Sequence, residues 1–135
     1  LFNQRPKDVR MISVLLVDDD ERVRQGLRMR LGLEVDLHVV GEAHDGAEAL
    51  RQAARLQPDV VVMDIQIAHL DGFQATAELR VITPYSAVIM LSLHDDLLTQ
   101  EQALESGAAA FVSKREPSDR LVAAIRRSVA ETGDE

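Results

Sequence analysis

The sequence contains no cysteine and no tryptophan, and its 135 residues include only three phenylalanines and one tyrosine. Without cysteine there is no disulfide framework, no thiolate zinc site and no cysteine nucleophile. A cytoplasmic protein fits that composition. Long apolar runs are missing as well: no segment approaches the roughly 18 residues of a membrane span, and no signal-peptide pattern is present. Net positive charge is the third absence. The chain carries a formal charge of −8, which argues against direct nucleic-acid binding, because phosphate backbones are held by clustered Lys and Arg. The first ten residues, "LFNQRPKDVR", hold three basic side chains and one acidic one, so residues 11–135 carry −10. That segment is polar and unpatterned, and it reads as a leader or upstream remnant set before a natural start at Met11.

What is present is an alternation of two periodicities. An apolar content of 46%, a charged content of 28% and this length describe one ordinary globular domain with a real core. Apolar runs rich in β-branched residues predict strands over Ile12–Val17, Leu37–Val40, Val60–Met63, Ala87–Leu91 and Ala109–Val112. Between them, helices are predicted near 21–32, 46–56, 71–81, 96–106 and 117–130. In the first, Val23, Leu27 and Leu31 recur every four residues and form one apolar stripe; in the last, Leu121, Ile125 and Val129 do the same, with Pro117 expected at its first position. Breakers fall between the elements, at Gly46, "QPD" (57–59), "LDG" (70–72), Pro84 and Gly107. Five such alternations predict an α/β fold, a doubly wound five-stranded parallel sheet with five helices. The runs "VLLV" and "VVVM" suit strands covered by helices on both faces.

In an open parallel sheet, ligands bind beyond the carboxyl ends of the strands. Asp18 and Asp19 follow the first predicted strand, Asp64 the third, Ser92 the fourth and Lys114 the fifth. Singly, each has a bland reading. An acid run after a strand is often a solvated turn, and one of its carboxylates can cap the next helix. A lone lysine is usually on the surface, and a lone serine often opens a loop. Their common placement is what counts. Three carboxylates brought together at low dielectric repel unless a cation neutralises them, and hard oxygen donors completed by water suit Mg²⁺. With an ammonium and a hydroxyl nearby, the set supports phosphoryl transfer to or from Asp64.

"VLLVDDDE", "PDVVVMDI" followed by "LDG", "IMLS" and "GAAAFVSK" resemble the response-regulator receiver domain of two-component signalling. The resemblance covers essentially all of 12–130, and "VVGEAHDGAEAL" is most similar to the NarL/FixJ-type subfamily of LuxR-class regulators. It implies a flavodoxin-like (βα)5 receiver domain over 11–131, with 132–135 opening a linker or tail. Asp64 would be the phosphoacceptor for a sensor histidine kinase. Asp19 would bind Mg²⁺ directly, Asp18 mostly through water, and Gln66 through its backbone carbonyl, leaving the Gln66 side chain to tune hydrolysis. Ser92 and Lys114 would each hold a phosphoryl oxygen, and Phe111 stands at the aromatic switch position. His94, two residues past Ser92, could tune access of water or kinase. The resemblance further implies autophosphorylation from small phosphodonors, slow autodephosphorylation and a C-terminal helix–turn–helix output domain. A homodimer could form through the first and fifth helices or through the face from the fourth to the fifth helix.

Two departures stand out. Ile67-Ala68 occupy the place where the family usually has Met-Pro, and Arg115 follows the lysine where many members have proline. A cis bond there without proline would cost about 3 kcal/mol, so trans is expected. His38, His44, His69 and His94 are scattered and read as surface residues. The arginines at 22, 24, 28, 30, 126 and 127 read as solvated faces or rims for kinase docking. Competing functions are a phosphorylation-independent interaction module and a Mg²⁺-dependent aspartyl-phosphate phosphatase. A flavodoxin-type cofactor binder ranks last, because no phosphate-cradling loop follows the first strand.

Overall fold

The computed structural model describes residues 11–66 and 71–132. Strands and helices alternate as β1 (Ile12–Val17), α1 (Glu21–Leu31), β2 (Leu37–Ala43), α2 (Gly46–Leu56), β3 (Val60–Asp64), α3 (Gly72–Ile82), β4 (Ala87–Ser92), α4 (Leu97–Glu105), β5 (Ala110–Ser113) and α5 (Ser118–Thr132). All strands are parallel, in the order β2-β1-β3-β4-β5. The doubly wound α/β fold is therefore present. Strand order reverses at β1, so the crevice of this open sheet lies between the carboxyl ends of β1 and β3.

The continuous apolar runs exist because both faces of the sheet are covered. Alternate residues Val14, Leu16, Val60, Val62, Ile89 and Leu91 pack with Leu31 of α1 and Leu121, Ile125 and Val129 of α5. Their neighbours Leu15, Val17, Val61, Met63, Val88 and Met90 face Ala49 and Ala53 of α2, Ala75 and Leu79 of α3, and Ala103 of α4. A two-residue side-chain period thus divides one sheet between two separate cores.

Four helices begin at aspartates whose carboxylates accept a backbone N–H of the first turn, leaving fewer helix-end donors without a partner. Asp20 accepts from Arg22, Asp45 from Glu48, Asp71 from Gln74 and Asp96 from Thr99. The Thr99 N–H also holds the Asp96 carboxyl below the usual carboxylate range. Asp20 therefore accounts for one member of the acid run as a helix cap. It leaves Asp18 and Asp19 to be explained.

The predicted elements are displaced by a residue or two. β3 and β4 extend one residue further, so Asp64 and Ser92 are the last residues of their strands rather than the first of the following loops. β5 starts and ends one residue later, and α5 begins at Ser118 and continues to Thr132. Pro117 precedes α5, and its carbonyl accepts from Arg120 N at 3.0 Å. β2 runs past Val40 to Ala43 through a β-bulge: Val14 pairs with Val39, but Leu15 pairs with Gly41. Gly41 lies on the α2 side, where an added Cβ would sit 2.6 Å from Leu56 Cδ1. Glu42, in register with Leu16, falls on the α1 side.

The Lys114–Arg115 peptide bond is trans, as expected. His38, His44 and His94 are exposed. Arg24 does not fit the expectation of solvated faces, and Arg126 is exposed but ion-paired. The Arg24 side chain is only 14% exposed and pairs with Glu42, while Arg126 forks onto Asp36 at 2.8 and 2.9 Å. Among the described residues, no helix is long and apolar enough to cross a membrane. The leader 1–10, Ile67-Ala68 with His69, and residues 133–135 lie outside the described residues.

Gly72, the first residue of α3, couples this helix to the end of β3. Its N–H donates to Ile65 O at 2.9 Å, and an added Cβ would lie 2.7 Å from Ile65 Cα and 2.9 Å from Met90 Cε. Backbone cannot yield as a side-chain end can, so Gly72→Ala should destabilise the fold by about 1–3 kcal/mol. Urea unfolding followed by circular dichroism checks this; an unchanged midpoint would show that α3 and the 64–66 segment move apart freely.

Candidate functional site

Four of the five strands deliver their last residue, or the one after, to the same site at the carboxyl edge of the sheet. β1 ends at Val17 and passes the chain to Asp18 and Asp19. β3 ends at Asp64, its neighbour β4 at Ser92, and β5 at Ser113, just before Lys114. Register fixes their relative heights: Asp64 pairs with Leu91, and Ser92 with Ser113.

Asp18 is buried, at 2% exposure, and Asp64 nearly so, at 9%. The Asp18 carboxylate accepts from the Asp20 N–H at 2.9 Å through Oδ1. The Asp64 carboxylate accepts from the Gln66 N–H at 3.2 Å, also through Oδ1. The remaining oxygens converge on one cation: Lys114 Nζ lies 3.3 Å from Asp18 Oδ2 and 3.3 Å from Asp64 Oδ2. Asp19 is exposed and completes the acidic group; one oxygen from each of Asp18, Asp19 and Asp64 lies within 4.8 Å of the others.

The electrostatics follow from this count. Three carboxylates face one ammonium, which leaves the group two charges short of neutrality. Burial pushes the Asp64 carboxyl up; Lys114 opposes that shift and the Asp18 charge adds to it. Burial alone would lower the Lys114 ammonium, but the Asp64 and Asp18 carboxylates outweigh it and raise it. Donors that are all carboxylate oxygens, carry excess negative charge and are half-open to solvent through Asp19 fit a hard divalent cation.

Ser92 is buried, and its Oγ accepts from the His94 N–H at 2.9 Å, which leaves the hydroxyl proton free to donate elsewhere. Its carbonyl accepts from Lys114 N at 2.8 Å, tying the two expected phosphoryl-binding residues together through the backbone. The hydrogen bond from His94 to Ser92 is made by the His94 main chain. Gln66 is exposed. Phe111 does not join the acidic cluster. It is half-buried against the α2–α4 core and lines a cavity of about 310 Å³ with Asp95, Gln100 and Arg120.

Two polar pairs were not anticipated. Ser113 Oγ donates to Asp95 Oδ2 at 3.0 Å, linking β5 to the loop after β4. Arg24 Nε donates to Glu42 at 2.9 Å, and Arg24 Nη1 donates to the backbone carbonyl of Asp18 at 2.6 Å. A signal for the first lay in "FVSK", where a serine interrupts an apolar strand. For the second, Arg24 lies seven residues before Leu31 and so beside it on the helical wheel, at the border of the apolar stripe.

The shared ammonium sets a stability prediction with opposite signs. A carboxyl whose folded pKa is raised contributes stability below its unfolded pKa, near 3.8, and loses it as pH rises through the folded value. Asp64→Asn should therefore raise the urea midpoint at pH 7, with the gain shrinking towards pH 4. Lys114→Met, which leaves two buried carboxylates without their cation, should cost roughly 1–3 kcal/mol at pH 7 and less in acid. Shifts of the same sign for both variants would contradict this electrostatic balance.

Comparison with known proteins identifies the family. The family model for the response regulator receiver domain matches residues 14–126. The transcriptional regulatory protein LiaR of Bacillus subtilis is 38% identical over 117 residues, which cover 86% of this chain and 55% of LiaR. The response regulator protein VraR of Staphylococcus epidermidis is 34% identical, over 87% of this chain and 56% of its own. The chain thus spans about half the length of these relatives. Among solved structures, the NarL receiver domain of Mycobacterium tuberculosis superimposes with a TM-score of 0.84 at 33% identity, covering 89% of this chain and 97% of that one. A LuxR-family response regulator from Aurantimonas gives 0.86 at 31% identity, covering 90% and 86%. On the family match, these identities and the shared fold, this protein belongs to the response regulator receiver domain family of two-component signalling.

Proposed function

We propose that this chain is a phospho-accepting switch, in which Asp64 takes a phosphoryl group from the phosphohistidine of a sensor kinase. The observation that carries this reading is the single Lys114 ammonium shared between Asp18 and Asp64 at the carboxyl edge of the sheet. An Asp64 oxygen attacks phosphorus, the phosphorus–nitrogen bond of the donor breaks, and the imidazole leaves with the electron pair. Asp19, Asp18 and Asp64, with the Gln66 carbonyl, would hold Mg²⁺, which when bound offsets charge on the transferring group. Lys114 exchanges its carboxylate partner at Asp64 for a phosphoryl oxygen, and the Ser92 hydroxyl donates to another.

Phosphorylation takes Asp64 from one negative charge to about two and adds three acceptor oxygens. Recruitment of Ser92 draws on the β4–α4 loop, because its Oγ already holds the His94 N–H. Phe111, on the neighbouring strand, is the side chain through which that movement would reach the α4–β5–α5 face. Water slowly hydrolyses the acyl phosphate and resets the switch, with the Gln66 and His94 side chains placed to tune that rate. By likeness to LiaR, whose name states transcriptional regulation, we assign the receiver unit to residues 11–131 of a cytoplasmic regulator. Its C-terminal helix–turn–helix domain would bind DNA.

Intact mass after incubation with acetyl phosphate tests this reading. One phosphoryl group should appear on the parent protein in Mg²⁺, none after chelation, and none on Asp64→Ala in either condition. A folded parent protein that takes no phosphoryl group would overturn the switch in favour of a phosphorylation-independent module. Turnover of an external phosphomonoester would instead favour a phosphatase.

A further inference from the structure

The acidic turn is held from behind by a side chain that donates nothing to it but a hydrogen bond. At the end of β1 the ladder stops: Asp18 N still donates to Ala43 O at 3.1 Å, and the Asp18 carbonyl takes its donor from Arg24 Nη1 at 2.6 Å. Direction at that carbonyl fixes the peptide plane between Asp18 and Asp19. It thereby fixes the course of the turn that carries the exposed Asp19 carboxylate beside the buried pair. Glu42 anchors the other end of the guanidinium, accepting from Nε at 2.9 Å, and is itself gripped by Arg28. The β2 bulge makes this possible, because it brings Glu42 to the α1 side of the sheet.

We propose that Arg24, clamped by Glu42, is a positioning residue for the cation site, setting the affinity of the Asp18–Asp19–Asp64 cluster without touching the cation. The inference rests on the cation-dependent reading given above. Two effects of Arg24 oppose each other. Its positive charge disfavours a nearby cation, whereas its hydrogen bond pre-orders the ligands. Glu42 at 2.9 Å offsets part of that charge although it also pairs with Arg28, and the ordering effect outweighs the remainder. Planarity matters too: a guanidinium spans a carboxylate and a carbonyl at once, which an ammonium on a flexible stem does not.

Titration calorimetry with MgCl₂ at fixed ionic strength, on the parent protein, Arg24→Met, Arg24→Lys and Arg30→Met, provides the test. Arg24→Met should weaken Mg²⁺ binding about tenfold, the lower end of what losing a group that orients metal ligands costs. Arg24→Lys, the variant safer for folding, should weaken it in the same direction. Arg30→Met removes ion pairs with Glu34 and Asp119, neither of which belongs to the acidic turn, and it should leave affinity unchanged. Tighter binding by Arg24→Met would overturn the proposal in favour of simple charge repulsion, and parental affinity in Arg24→Lys would overturn the fork. A second readout needs no metal. Exchange of the Asp20 amide, whose N–H donates to Asp18 Oδ1, should quicken in both Arg24 variants and not in Arg30→Met. If the parent protein binds no Mg²⁺, the cation reading fails by itself, and unchanged Asp20 exchange would separately refute Arg24 as the clamp.

Discussion

One ammonium serves two buried carboxylates at the carboxyl edge of the sheet, and the arrangement around it follows from that shortage. Asp18 and Asp64 come from adjacent strands, so strand order alone makes them neighbours. Lys114 comes from β5, with β4 between it and β3, and only a long side chain can cross that gap. Ser92, small and buried at the end of β4, leaves the crossing open, and its carbonyl holds the Lys114 N–H. Lys114 lies between the two carboxylates and opposes the rise that burial and the Asp18 charge impose on the Asp64 carboxyl. Anything that changes the charge on Asp64 must therefore redistribute Lys114, Ser92 or both.

The division of the core into two halves matters for where such a redistribution can go. On the α1/α5 side, Leu31, Leu121 and Ile125 are almost wholly excluded from water, and Arg126 and Arg30 staple α5 to α1 and the loop after it. On the opposite side α4 is shallowly embedded: Ala103 is its buried residue, while Leu97, Leu98 and Leu104 are exposed. Its entry is tied to β5 through the Asp95–Ser113 bond, next to Lys114. Shallow packing gives α4 little to lose by moving, whereas α1 and α5 would have to break a core.

Most of the fold was legible because its signals are periodic and local. Five apolar runs, two four-residue stripes and the breakers between them gave the order of elements. The strand-end rule then brought Asp18, Asp19, Asp64, Ser92 and Lys114 to one edge. Where the sequence misled, the cause was a contact made across the chain. Gly41 looked like the end of a strand, but β2 continues through it because pairing with Leu15 and Leu16 holds an extended backbone there. Arg24 looked like one of several solvated arginines, since nothing local says that Glu42, eighteen residues on, lies on the same side of the sheet. Phe111 could be placed on β5 by pattern, but only packing puts it against the α2–α4 core rather than the acids.

The extra residue in β2 also limits how this sheet can be edited. If β2 kept all its residues but paired without the bulge, Val40 would fall opposite Leu15 and Glu42 would move from the row of Leu16 to that of Val17, because side chains alternate between faces. A carboxylate would then enter the apolar layer under α2 and α3 with no cation to meet it, and Arg24 would lose its acceptor at the same stroke. The irregularity is thus what keeps an acidic residue compatible with a sheet that is apolar on both sides. Pairing the whole of β2 in regular register and keeping Glu42 on the side of Arg24 are mutually exclusive for this sequence.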